Sequence, residues 1–368
     1  MQVQFLDLKS QFRQIEKKFN KSLRETISRS DFILGQEEKL FEKEFAVYCG
    51  TDYAVGLNSG TDALFLSLAA MGIGKGDEVI VPAFTFIATA NAVSYTGAKP
   101  VFVDIDEKTY NIDPAKIERA VTRKTKAVIP VHLFGQCCDM AALMRIARSH
   151  RLKIVEDACQ AHGAVTGGRK AGAIGDCGAF SFYPTKNLGG WGDGGMVTTD
   201  DKKLYERLVM LRDCGRTTRY EHVIVGYNSR LDTIQAGVLR LKLPLLDDWN
   251  KQRMQAAHLY DSLLKKIQGV AVPVRAPYSS HVFHIYAVRT ARRDRLVEYL
   301  KQNNIGVMVH YPIPLHLQKA YKDLGYSRGD FPAAEKACQE IISLPMHPAL
   351  SAKEIRCVCR VIQTFMEG

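Results

Sequence analysis

No stretch of the chain is long and apolar enough to cross a bilayer, which takes about 20 apolar residues in a helix. The most apolar run, Ala63 to Met71, gives way at once to Gly72-Ile73-Gly74-Lys75. No membrane partner is expected. The N-terminus, MQVQFLDLKSQFRQ, lacks the basic stretch, long apolar stretch and small-residue cleavage site of a secretory signal, so the expected location is cytoplasmic. Paired CxxC motifs are missing as well. The nine cysteines include an adjacent pair, Cys137 and Cys138, and a CxC at Cys357 and Cys359. This matches neither a disulfide framework nor a zinc site, so they read as reduced thiols filling the core, with no metal.

A surplus of acidic charge is also lacking. Fifty Lys and Arg face 39 Asp and Glu, a net charge of +11. That balance invites a nucleic-acid partner, but the basic residues are dispersed. The densest clusters, TRKTK at 122–126 and RTARRDR at 289–295, are short and have no interleaved stacking aromatics. The surface therefore reads as solvated and basic, without nucleic acid, in a field that suits a polyanionic small molecule. With 46% hydrophobic and 24% charged residues over 368 positions, the composition is that of a folded enzyme with room for two domains.

Periodicity supplies the organisation. Short β-branched runs alternate with helical patterns through the first half, the rhythm of βαβ units around a mostly parallel sheet. Strands are predicted at 53–56, 78–81, 100–103, 127–131, 153–156, 178–182 and 195–198. Helices are predicted after Thr61, near 85–94, and at 114–120, 140–149 and 202–211, with two N-terminal helices at 10–28 and 36–47. After about Leu245 the pattern changes to a helix over 250–266, a strand over 284–288, a helix over 294–302, a strand over 306–310 and two closing helices. The expectation is a large α/β domain over 1–245 and a small α+β domain over 246–368. No repeat or low-complexity linker separates them, so they should share an extended interface.

Three segments carry chemistry. In Asn58-Ser59-Gly60-Thr61-Asp62 a small polar turn opens a helix, offering backbone N–H groups at its positive end: a phosphate seat, or plain N-capping. In Val155-Glu156-Asp157-Ala158-Cys159-Gln160-Ala161-His162 a buried strand ends in carboxylates, where open α/β sheets bind ligands; such an acid either holds a cationic ring nitrogen or caps the next helix. In Ser181-Phe182-Tyr183-Pro184-Thr185-Lys186 a lysine opens a Gly-rich loop in apolar, aromatic surroundings, where desolvation would make it a usable amine nucleophile. The nearby GWGDGG (190–195) satisfies GxGxxG only literally, because it precedes a strand instead of following one and opening a helix. Phosphate seat, ring acid and lysine together are what pyridoxal 5'-phosphate needs: its aldehyde held on a lysine, its ring nitrogen kept protonated, its phosphate neutralised.

These motifs, with FLDLKSQF, FILGQEEKLFEKEFA, GDEVIVPAFTFIATANAV, YNSRLDTIQAGVLRLKL and HYPIPLHLQ, span nearly the whole chain. The sequence resembles the DegT/DnrJ/EryC1/StrS sugar aminotransferases, a branch of the fold-type I pyridoxal-phosphate enzymes. The resemblance makes Lys186 the lysine that binds the cofactor aldehyde and Asp157 the partner of the ring nitrogen. It places Phe86 against the ring face and Gly60, Thr61 and Ser181 on the phosphate. It implies a homodimer with shared active sites, Asn228 reaching the partner's phosphate. Arg230 then serves either a substrate carboxylate or a structural ion pair. His162 and His310 lie near the sugar or the cofactor, or are structural. Gln160, counted with the cofactor contacts, stands where the resemblance puts Gln in enzymes acting at C-3 of a hexose and His in C-4 enzymes. The function implied is transamination of a nucleotide-linked keto-sugar, a dTDP-3-keto-6-deoxyhexose, with L-glutamate as donor. The alternatives are a C-4 or a UDP-3-keto sugar aminotransferase, a sugar dehydratase, whose relatives carry His in place of the lysine, and a non-catalytic regulatory protein.

Overall fold

The computed structural model describes residues 1–368. Seven short apolar strands form one sheet: β1 (Tyr53–Leu57), β2 (Glu78–Pro82), β3 (Lys99–Val103), β4 (Thr125–Val128), β5 (Lys153–Asp157), β6 (Cys177–Ser181) and β7 (Gly195–Thr199). Their order is β1-β7-β6-β5-β4-β2-β3. Only β7 runs against the rest, pairing antiparallel with β1 and β6, while β6-β5-β4-β2-β3 are parallel. The sheet is thus mostly parallel, as the alternating pattern predicted. Its strands are buried on both faces, which explains why they read as continuous apolar runs.

Helices α1 (Leu8–Arg29) and α2 (Gln36–Cys49) precede β1. Helix α3 (Gly60–Ala70) follows it and is apolar nearly all round, with eight of its eleven residues buried, as befits a helix between the sheet and other elements. Helix α4 (Ala88–Tyr95) begins at Ala88, so the helix predicted from residue 85 starts later and leaves Thr85 and Phe86 in the turn after β2.

Beyond Leu246–Leu264, a helix, the chain adds β8 (Tyr286–Arg289) and β9 (Ile341–Leu344), an antiparallel pair. The strand predicted over 306–310 is not formed. That segment makes one bridge at Met308 to Ser343, beside the bridge of Ile305 to Val3. Pro312 and Pro314 follow directly and can donate nothing to a ladder, and the segment turns toward the cavity described below. Helix Thr233–Lys242 and the hairpin of Val165–Thr166 with Arg169–Lys170 have no counterpart among the predicted elements. The largest core cluster joins sheet residues such as Val79 and Val155 to Ile285, Leu315 and Ile341. A second packs Val3 with Tyr260, Leu300 and Ile362. The two parts of the chain share core, so they pack as a continuous body.

Candidate active site

A cavity of about 460 Å³ opens at the carboxyl ends of the parallel strands, within the roughly 300–1,000 Å³ of small-molecule sites. The connections that follow β1, β2, β5 and β6 contribute to it. Asp157 ends β5, Ser181 ends β6, Gly60 and Thr61 begin α3 after β1, and Thr85 and Phe86 lie in the turn after β2. Lys186, in the β6–β7 connection, lies in the same wall, as do His284, His310 and Tyr311 from the C-terminal part.

Asp157 is buried and oriented by two donors. Thr89 Oγ1 donates to its Oδ2 at 2.9 Å and the Cys159 N–H to its Oδ1 at 3.2 Å. Burial draws the Lys186 ammonium down from the ordinary lysine range, against the opposing pull of Cys159 and Asp157, which favours a free amine. The loop carrying Lys186 is held by backbone contacts: Phe182 N–H to Gly194 O, Gly190 N–H to Phe182 O, each at 2.8 Å, and Lys242 Nζ to Gly189 O at 2.6 Å. A Cβ on Gly189 would lie 2.4 Å from Pro184 O, so the loop's glycine there serves close backbone approach.

At the start of α3, Ser59 caps the helix by accepting from the Asp62 N–H at 3.1 Å. The N–H groups of Gly60 and Thr61 have no partner within the helix and face the cavity at its positive end, so capping and an anion seat coexist in one turn. A Cβ on Gly60 would come within 2.6 Å of Ser181 Cβ and 2.9 Å of Cys159 Sγ, so only glycine lets the helix start so near β6. Phe86 is 54% exposed and lines the cavity with its ring 5.9 Å from that of Tyr311; it is not a core aromatic.

Gln160 also lines the wall, but much of its amide is engaged. Its Oε1 accepts from the Phe134 N–H at 2.9 Å and its Nε2 donates to Tyr311 OH at 3.2 Å. His310 faces the cavity with Nδ1 2.8 Å from Ser343 Oγ, and burial, then Lys186, pushes it down to about 4.

Three residues expected near the ligand lie outside this cavity. His162 is buried, its ring 5.4 Å from that of Phe180 and 5.9 Å from that of Phe182, and burial pushes it down to about 3; packing against aromatic neighbours keeps it behind the wall. Arg230 Nη1 donates to Asp213 Oδ1 at 2.9 Å, the ion-pair alternative of the two left open. Asn228 is exposed on a surface segment that bridges to Asp213, away from its own chain's cavity.

Residues that sequence reasoning missed are Thr89, which orients Asp157, and Thr85, Cys159, Tyr183, His284 and Tyr311 in the wall. Tyr311 follows His310 in a motif already singled out. Thr89 lies in GDEVIVPAFTFIATANAV, also singled out, but only the fold brings α4 to the end of β5.

The donor set suits pyridoxal phosphate on structural grounds alone: a lysine inclined to the free amine, a buried, oriented carboxylate and a helix start with unpaired N–H groups share one cavity. Comparison with known proteins agrees. Residues 13–363 match the DegT/DnrJ/EryC1/StrS aminotransferase family. The chain is 47% identical to the pleiotropic regulatory protein of Geobacillus stearothermophilus, over 99% of both chains. It is 46% identical to the dTDP-3-amino-3,4,6-trideoxy-alpha-D-glucose transaminase of Streptomyces venezuelae, over 99% of this chain and 96% of that one. The crystal structure of S. venezuelae DesV in complex with a ketimine intermediate superposes with a TM-score of 0.98 at 46% identity, covering 100% of this chain and 99% of that one.

Proposed function

Because the chain belongs to the DegT/DnrJ/EryC1/StrS aminotransferase family, we infer that it is a pyridoxal-phosphate-dependent aminotransferase that converts a nucleotide-linked keto-sugar to an amino sugar. The sugar is a dTDP-3-keto-6-deoxyhexose and the amino donor is L-glutamate. The observation that carries this is the meeting of Lys186 and Asp157 in one cavity. The regulatory name of one relative does not displace it, since both groups that a non-catalytic protein could dispense with are present in the cavity, Asp157 oriented by Thr89. A dehydratase with His for the lysine is disfavoured by Lys186 itself.

When bound, the cofactor supplies an electron-withdrawing ring that stabilises negative charge at the donor carbon. Asp157 is aimed to keep the ring nitrogen protonated. The N–H groups of Gly60 and Thr61, with Ser181, seat the phosphate. Phe86 would lie against the ring, and Lys186 Nζ, as a free amine, would accept and return the proton at the donor carbon. Net charge +11 draws a nucleotide diphosphate, whose binding is remote from the reacting ketone. The C-3 preference rests on Gln160 in place of His. Asn228, exposed on the surface, is assigned to the partner subunit's phosphate in a homodimer.

The test is incubation of pure protein with glutamate and a panel of dTDP- and UDP-linked 3-keto and 4-keto sugars. The highest specificity constant is expected for the dTDP-3-keto-6-deoxyhexose. A better 4-keto or UDP substrate would overturn the choice of sugar, and exchange among amino acids alone would overturn the sugar assignment entirely. For the shared site, mixing inactive Lys186→Ala with a severely impaired Asn228 variant should restore activity; a fully active monomer would refute sharing.

A further inference from the structure

Two helices of this protein open on the same pattern, a serine followed three residues later by an acid, and use it differently. In Ser351-Ala352-Lys353-Glu354 the serine caps the C-terminal helix (Ala352–Glu367) and the acid turns back to it, the Ser351 N–H donating to Glu354 Oε2 at 2.8 Å. That box is closed. In Ser59-Gly60-Thr61-Asp62 the serine caps α3 in the same way, by accepting from the Asp62 N–H at 3.1 Å, but the acid does not turn back. Its carboxylate is held by a residue 167 positions away, Ser229, whose Oγ donates to Asp62 Oδ2 at 2.6 Å.

The direction of that hydrogen bond follows from its surroundings. The Asn58 N–H, which can only donate, lies 3.3 Å from Ser229 Oγ, so the hydroxyl accepts there and spends its own hydrogen on Asp62. Ser229 is buried and its backbone is tied down, its N–H donating to Arg212 O at 2.9 Å and the Tyr227 N–H to Leu211 O at 2.7 Å. The hydroxyl is fixed in place. Its effect is seen at the cavity: Ser59, Gly60 and Thr61 line the wall, whereas Asp62, the one acid in the first turn of α3, does not.

What this arrangement prevents is a local competition. An Asp side chain readily accepts from backbone N–H groups close to it in the chain, and the positive end of a helix attracts a carboxylate as it attracts any anion. A seat for phosphate needs those N–H groups unspent. Free to turn, the Asp62 carboxylate would occupy them and would set a negative charge beside the phosphate.

We propose that Ser229 is a positioning residue for the phosphate seat: by holding the Asp62 carboxylate off the start of α3, it keeps the N–H groups of Gly60 and Thr61 available to the phosphate of the bound ligand. The proposal rests on the cofactor reading for the identity of that ligand. It adds to the site a residue that lies outside the cavity wall.

The experiment uses full-length protein freed of cofactor, titrated with pyridoxal 5'-phosphate, with pyridoxal, and with inorganic phosphate as a competitor of the first. Ser229→Ala, which deletes one atom, should bind pyridoxal 5'-phosphate and inorganic phosphate about fivefold more weakly, the size of a charge effect at a helix end, and leave pyridoxal unchanged. In an Asp62→Ala background, where no carboxylate competes, the same change should cost nothing. This suppression separates the proposal from a merely structural role. If Ser229 only braces the turn through Asn58, the loss persists without Asp62 and the proposal falls. A crystal structure of cofactor-free Ser229→Ala should place the Asp62 carboxylate on the N–H groups at the start of α3; a carboxylate still turned away overturns the proposal whatever the affinities. The unmodified protein tests the cofactor reading separately. If it binds pyridoxal as tightly as pyridoxal 5'-phosphate, there is no phosphate seat and both fall; if it prefers the phosphate ester and Ser229→Ala changes nothing, the reading stands and this proposal alone falls.

Discussion

Glu156 and Asp157 are neighbours in the chain and opposites in use. Successive side chains of a strand face opposite sides of the sheet, so the last two residues of β5 enter different surroundings. Glu156 is completely buried and saturated. It contacts His132 Nε2 at 2.8 Å and accepts from the N–H groups of Gly172, Ile174 and Gly175 at 2.9, 2.6 and 2.7 Å. Asp157 accepts from two donors only, Thr89 and the Cys159 N–H, and both belong to the cavity wall. None of the Glu156 partners does. A carboxylate surrounded by four contacts ties loops together. One with two fixed donors and an open side is oriented for something else.

The difference can be broken by substitution. The largest effect is expected on the cavity side, at Lys186→Ala, which removes the amine that moves the proton; turnover should fall by about four orders of magnitude or more while the denaturant midpoint stays near that of the unmodified protein. A colourless but normally folded variant, with no borohydride-fixed cofactor, is the accompanying signature. Asp157→Asn comes next. It keeps the shape and loses the charge, so rates of the half-reactions should drop about a hundred- to a thousandfold, with cofactor still bound. Near-normal turnover would show that another group protonates the ring.

Glu156→Gln should do the reverse. Its nitrogen would face N–H donors in a dry site, costing about 2–3 kcal/mol of stability, while turnover per folded molecule is retained. Equal losses of stability and specific activity would erase the contrast between the two positions. The smallest effect is a pH dependence. Burial pushes the Glu156 carboxyl up, but His132 and the N–H groups of Gly175 and Gly172 outweigh it, and the net shift is downward. A folded value below the unfolded value of about 4.3 means stabilisation that is complete above that pH and is lost as pH falls through the folded value. The stability gap between the protein and Glu156→Gln, measured by urea unfolding, should stay constant near neutrality and close only below about pH 4.

Much of this was legible beforehand. Alternating apolar runs and helical patterns identified all seven strands of the main sheet, because both faces are covered and the strands need continuous apolar sequence. The 306–310 segment misled: its apolar character serves packing and the cavity wall, and its backbone bridges to β9 at Met308 alone. At the site, Lys186, Asp157, Gly60 and Thr61 carried local signals, each being at a strand end, a helix start or a glycine-rich turn, while Phe86 and Ser181 came from the family resemblance; all six line the cavity.

What the sequence determined by itself is therefore whatever depends on neighbours along the chain: strand periodicity, the Ser59 cap, the opposite facing of Glu156 and Asp157, the family-specific motifs. Tertiary structure alone decided that Thr89 reaches Asp157 across 68 positions, that Arg230 is paired with Asp213, and that His284 Nδ1, 97 positions from Asn187, lies 3.3 Å from its Oδ1. Hydrogen bonds and burial act over a few ångströms of space. Periodicity acts over a few residues of chain, so contacts between distant segments leave no trace in the local pattern.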